Sequence, residues 1–98
     1  MSRYRLTAQA QEDFEDIRRW YHEQRGAASA RRIVQDLREQ LRLVARNPTI
    51  GRPREELAPL DTFFWPHRRF FIIYLAETKP LEILRIWDAS RGDPDLVR

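Results

Sequence analysis

The sequence predicts an α+β fold in which an N-terminal helical hairpin packs on an antiparallel sheet, and three observations carry that prediction. Two long stretches in the first half repeat their apolar residues at helical spacing, with only a few residues around Gly26 between them. The second half holds aromatic and β-branched runs separated by short polar breaks containing Pro, as in consecutive strands. Phe70-Phe71-Ile72-Ile73-Tyr74-Leu75 is apolar at both parities, which suits a central strand covered on both faces.

Taken in order, Arg3 to Leu6 reads as a short opening strand with Tyr4 and Leu6 on one face, and Thr7 is placed to cap the helix that follows. That helix runs to Gln24 or Arg25 on a stripe of Ala10, Phe14, Ile17 and Tyr21, with Glu12, Asp13, Glu15, Asp16, Arg18 and Arg19 on the other face. Its acidic residues come early and its arginines late, as the helix dipole prefers, and Gly26 is a natural stop. Ser29 is a candidate cap for the second helix, although Ala27 and Ala28 can already be helical. Its stripe is Ala30, Ile33, Val34, Leu37, Leu41 and Val44, and Asn47-Pro48 ends it. Two amphipathic helices joined so closely lie antiparallel and share one apolar face.

Thr49 to Leu60, with Gly51, Pro53 and Pro59, reads as an irregular crossover. Thr62 to Trp65 is a strand broken by Pro66-His67-Arg68. The central strand follows, and after the loop Glu77-Thr78-Lys79-Pro80 comes Leu81 to Trp87, giving a three-stranded antiparallel meander. The tail from Asp88 to Pro94 is turn-rich, and Asp95-Leu96-Val97-Arg98 can fold back. The expected core contains Phe14, Ile17, Ile33, Leu37, Leu41, Ile73 and Ile83. One helical hairpin covers only one face of such a sheet, so the second face is expected to stay partly exposed or to receive a partner.

Composition narrows the function. Ninety-eight residues at 42% hydrophobic fit one domain, 1–98, with an ordinary core. Cysteine is absent and the two histidines, His22 and His67, are far apart in the chain, so no metal set of the usual spacing and no thiol chemistry is expected. No cofactor is expected. Ser2, Ser29 and Ser90 lack a nucleophile elbow, and Gly51 and Gly92 form no phosphate-cradling loop. No apolar run reaches the roughly 20 residues of a membrane span, and no signal-peptide core follows Met1, so the expectation is a cytoplasmic protein.

The net charge is +3, and Lys79 is the only lysine among 18 basic residues. Arginine makes bidentate contacts to carboxylate and phosphate and stacks on aromatic rings, whereas a high-GC codon bias would give the same enrichment without a role. The candidates for partner or target contact are Arg52, Arg69, Arg85, Trp87 and Arg91. By strict alternation Arg85 shares a face with Leu81, Ile83 and Trp87, so its guanidinium must be paired, stacked or held at the edge of a site. A salt bridge to Asp88, Asp61 or an acidic helix residue is the structural alternative.

The stretch "LTAQAQEDFEDIRRWY", a second helix ending "NP", "GRPREEL", "RRFFIIY" and "LEILRIWDASRGDPDL" follow one another along the chain. Together they resemble the ParE/RelE superfamily of toxins from type II toxin–antitoxin modules, and the ParE-like branch fits best. The resemblance implies a helical hairpin on a three- to four-stranded antiparallel sheet, a cognate ParD-like antitoxin, a hetero-oligomeric complex, and inhibition of DNA gyrase by binding, without sequence-specific contact to nucleic acid. RelE-like relatives instead cleave mRNA on the ribosome, using basic residues on the strands and a Tyr or His near the C-terminus. Arg69 and Arg85 match the basic positions, but no Tyr or His follows Tyr74, which leaves His67 as the acid for that alternative. A non-toxic partner-binding module is the third reading. The chain departs from the superfamily pattern at Pro66-His67-Arg68-Arg69, where a glycine is common, and at Asp88 and Ser90.

Overall fold

Thr7 starts the helical hairpin as its sequence position predicts. Its Oγ1 accepts the Ala10 N–H at 3.1 Å and donates to the Leu84 carbonyl at 2.8 Å, so one side chain caps the helix and pins it to the sheet. The computed structural model describes residues 3–94 and 96. The elements are β1 (Tyr4–Leu6), α1 (Ala8–Arg25), α2 (Ala27–Arg46), β2 (Arg52–Pro53), β3 (Thr62–His67), β4 (Phe70–Leu75) and β5 (Leu81–Asp88), followed by a 3-10 turn at Ala89–Arg91. Gly26, at φ 90°, is the hinge between the helices, and α2 begins at Ala27 rather than at a Ser29 cap.

The sheet has five strands in the order β1-β5-β4-β3-β2 and is mixed, because β1 runs parallel to β5 while the other pairs are antiparallel. The α+β class stands, with more strands than three or four and one parallel pair. The extra strand β2 lies inside the stretch expected to be irregular. At two residues it is too short to show an alternation, and it is fixed instead by pairing Arg52 with Phe64 and Pro53 with Phe63. β3 also runs past its expected break. Since β2 reaches only Phe63 and Phe64, Pro66 lies where β3 is an edge and its missing N–H is tolerated. The reversal then falls at Arg68-Arg69, with Arg68 at φ 55°.

Between the helices and the sheet lies the main core: Ala10, Phe14, Ile33, Leu37, Leu41 and Val44 against Phe70, Ile72, Tyr74, Leu81, Ile83 and Ile86. Ile17 sits at its margin, partly buried. The second face is not bare. Ala58, Phe64, Ile73 and Trp87 are buried there, with Leu57 from the crossover and Leu96 from the chain end packed on them. The expected fold-back is thus met at Leu96, while Asp95, Val97 and Arg98 lie outside the described residues.

One buried hydroxyl ties the crossover to the central strand. Tyr74 Oη donates to the Pro48 carbonyl at 2.7 Å and accepts the Gly51 N–H at 3.0 Å. A Cβ on Gly51 would stand 2.6 Å from that hydroxyl and 2.9 Å from the Phe64 carbonyl oxygen, so close approach of the backbone requires glycine here.

Candidate functional site

β1 covers the edge of β5 only from Leu81 to Ile83, so beyond Ile83 the strand presents unpaired backbone groups to α1. Asp13 meets them. Its Oδ2 accepts the Ile86 N–H at 3.1 Å and Arg85 Nε at 2.7 Å, and its Oδ1 accepts Arg85 Nη2 at 2.8 Å. The carboxylate is buried, and a bidentate ion pair satisfies the guanidinium that the strand pattern left unexplained. Hydrogen bonding to Asp13 outweighs burial and holds Arg85 above the ordinary arginine pKa.

The expected alternation along β5 is broken by a bulge. Ile73 faces Arg85 while Tyr74 faces Ile83, so Leu84 is the extra residue. Leu81 and Ile83 therefore join the core under the helices, whereas Arg85 turns with Trp87. Arg85 does not share the face of Leu81 and Ile83 as strict alternation predicts.

Trp87 is the hub of the strand end. The Arg85 guanidinium carbon lies 5.1 Å and that of Arg91 4.4 Å from its ring centre, and its Nε1 donates to the Gly92 carbonyl at 2.7 Å. Asp88 opens the 3-10 turn by accepting from Ser90 N and Oγ at 2.9 and 2.7 Å, and Gly92 closes it at φ 83°, which brings Arg91 back over the indole. The other carboxylate oxygen of Asp88 pairs with Arg69 Nε at 3.3 Å. Arg69 in turn stacks 4.8 Å from the ring of Trp20, which is 39% exposed.

These groups surround a cavity of about 180 Å³ lined by Asp13, Trp20, Arg69, Asp88 and Arg91, with Asp16 and Ile17 at its side. The structure thus brings Arg69, Arg85, Trp87 and Arg91 together. Arg52 stands apart on β2. The register runs Arg52, Phe64, Ile73, Arg85 across the sheet, so Arg52 is three strand spacings, about 14 Å, from Arg85. His67 is also removed from the cavity, held by Asp36 of α2 at 2.8 Å alongside Arg68 Nε at 2.8 Å.

Sequence reasoning missed Asp13 and Trp20. Asp13 was expected on the outer face of α1, yet Ala10, Asp13, Phe14 and Ile17 stand at i, i+3, i+4 and i+7, so helical spacing already places the carboxylate on the buried stripe. Trp20 falls off that stripe, and only the hairpin turn that brings Arg69 beside it reveals its place. Among the described residues no group of three or more His, Cys, Asp or Glu could hold a metal ion, and no helix is long and apolar enough to cross a membrane.

A helical hairpin on one face of a five-stranded mixed sheet matches a ParE/RelE-like toxin fold. The solved structure described as the chromosomal ParDE TA system from P. aeruginosa is similar, with a TM-score of 0.73 and 25% identity over 88% of this chain and 94% of that one. No curated protein sequence matches significantly. Residues 4–92 match the family described as the ParE toxin of type II toxin–antitoxin system, parDE, and the chain belongs to that family.

Proposed function

We propose that this toxin acts by binding rather than by bond-making chemistry, with DNA gyrase as its target and an acidic ParD-like antitoxin holding it in check in the cytoplasm. The observation that carries the reading is the state of the arginines and carboxylates at the cavity. Arg85 is bidentate to Asp13, Arg69 pairs with Asp88, and Asp16 pairs with Arg19. A ribonuclease of RelE type would need guanidinium groups free for a scissile phosphate and a poised proton donor. Here Arg69 and Arg85 are spent on internal pairs, Arg91 is stacked on Trp87, and His67 is tied to Asp36.

The outward parts of the cluster suit a protein interface instead. Arginine and tryptophan dominate the energetic centres of such interfaces, and the Arg69–Trp20 stack presents both types beside a concave surface, with Arg91 held there over the buried ring of Trp87. The P. aeruginosa match, a toxin–antitoxin system, supports an antitoxin as one occupant. Co-expression with the product of an adjacent acidic reading frame is the test. A stable complex whose affinity falls at least tenfold for Trp20→Ala and Arg91→Gln is expected if these stacks are hot spots. Unchanged affinity in both variants would move the interface elsewhere.

A further inference from the structure

The outer face of α2 carries a feature that the cavity does not use. Arg31, Arg38, Arg42 and Arg46, with Gln35 among them, recur at spacings of seven, four and four residues and fall within an arc of about 80° on the helix. From Arg31 to Arg46 the row covers sixteen residues, about 22 Å of helix from end to end. All five side chains are exposed. Among the described residues none of the four arginines has an ion-pair partner, and only Arg38 makes an aromatic contact, 5.7 Å from the Phe14 ring.

Arg5, Arg18, Arg19, Arg54, Arg68, Arg69 and Arg85 are paired with carboxylates, whereas the four arginines of this row are not. The carboxylates of α2 do not offset the row. Asp36 is committed to His67 and Arg68, and Glu39 alone borders it. Arg18 of α1, itself paired with Glu15, lines the same groove as Arg31 and Arg38.

We propose that this row is a sequence-independent binding surface for the phosphate backbone of duplex DNA. Charge complementarity fixes the sign of the partner. The row itself contains no large apolar side chain to serve as the buried anchor that a protein interface needs, so its affinity must come from guanidinium–anion contacts. The row lies on the outer face of an α-helix, an element that the major groove of B-form DNA admits, whereas the deep and narrow groove of A-form RNA does not. Contacts to phosphate position a protein without reading bases, so no sequence preference accompanies this surface. The inference is independent of the gyrase reading.

The test is fluorescence anisotropy of the full chain with a short labelled duplex of arbitrary sequence, titrated at several salt concentrations, with no gyrase present. Four phosphate contacts give a slope of log K against log salt of about −3 to −4. Each of Arg31→Gln, Arg38→Gln, Arg42→Gln and Arg46→Gln reduces the slope by about one unit, and the fourfold variant abolishes binding. Because the four side chains are exposed and unpaired, the variants keep the far-UV circular dichroism of the parent. Absence of binding at low salt, undiminished binding by the fourfold variant, or capture of an acidic peptide without capture of duplex would each overturn the proposal.

Discussion

Replacing Asp13 by alanine removes the partner of three donors at once. The Arg85 guanidinium loses both of its bonds, at 2.7 and 2.8 Å, and the Ile86 N–H loses its acceptor at 3.1 Å. The Arg85 side chain is 18% exposed and that of Asp13 9%, so water can only partly replace what is lost. Deleting one member of a buried pair typically costs about 3–5 kcal/mol, and the residual exposure of Arg85 puts this case near about 3 kcal/mol. For a domain of this size that lowers Tm by more than about 10 °C. Urea unfolding at neutral pH should show a reduced midpoint at unchanged slope, and Asp13→Ala with Arg85→Ala should cost clearly less than the sum of the single variants. A loss below about 1 kcal/mol, or strict additivity, would refute the view that this pair fastens α1 to the open edge of β5.

Further consequences follow from the same contacts. Tyr74→Phe deletes a buried hydroxyl bonded to Pro48 and Gly51 and should cost about 1–3 kcal/mol in chemical denaturation. Burial raises the Tyr74 pKa, so the tyrosine contributes stability that is fully present below about pH 10 and is lost as pH rises through the higher folded value; Tyr74→Phe should flatten that alkaline limb. Gly51→Ala places a Cβ against Tyr74 Oη and the Phe64 carbonyl and should lower stability by about 1–3 kcal/mol in a thermal melt. Burial pushes the Asp36 carboxyl up, but bonds and charge from His67 and Arg68 outweigh it and leave the pKa low. Its contribution is therefore complete above about pH 4 and disappears as pH falls through the depressed folded value, and Asp36→Asn should flatten the acid limb of the stability profile.

The elements whose side chains repeat with a strong period were legible in the sequence. Thr7 as cap, both helical stripes and the double-sided apolar run of β4 all follow from local pattern. What the sequence hid is set by partners distant in the chain. The parallel pairing of β1 with β5 joins residues about 77 positions apart, as Tyr4 with Leu81 shows, and no periodicity encodes it. The bulge at Leu84 moved Arg85 off the face that strict alternation assigns, because register depends on the neighbouring strand as well as on the strand itself. At the candidate site, Arg69 and Trp87 could be singled out from the sequence as candidates because arginine and tryptophan beside apolar strands stand out. Trp20 and Asp13 could be placed only when α1 was set against β5 and the Arg68-Arg69 turn.

The most direct test of the central claim is a pair of assays on the purified full chain: DNA supercoiling by gyrase and ribosome-dependent cleavage of mRNA. Binding without bond-making chemistry predicts that supercoiling is lost, that mRNA stays intact, and that the antitoxin restores supercoiling. Cleaved mRNA beside normally active gyrase would contradict it and would mean that the internal ion pairs of Arg69 and Arg85 open on the ribosome to do chemistry.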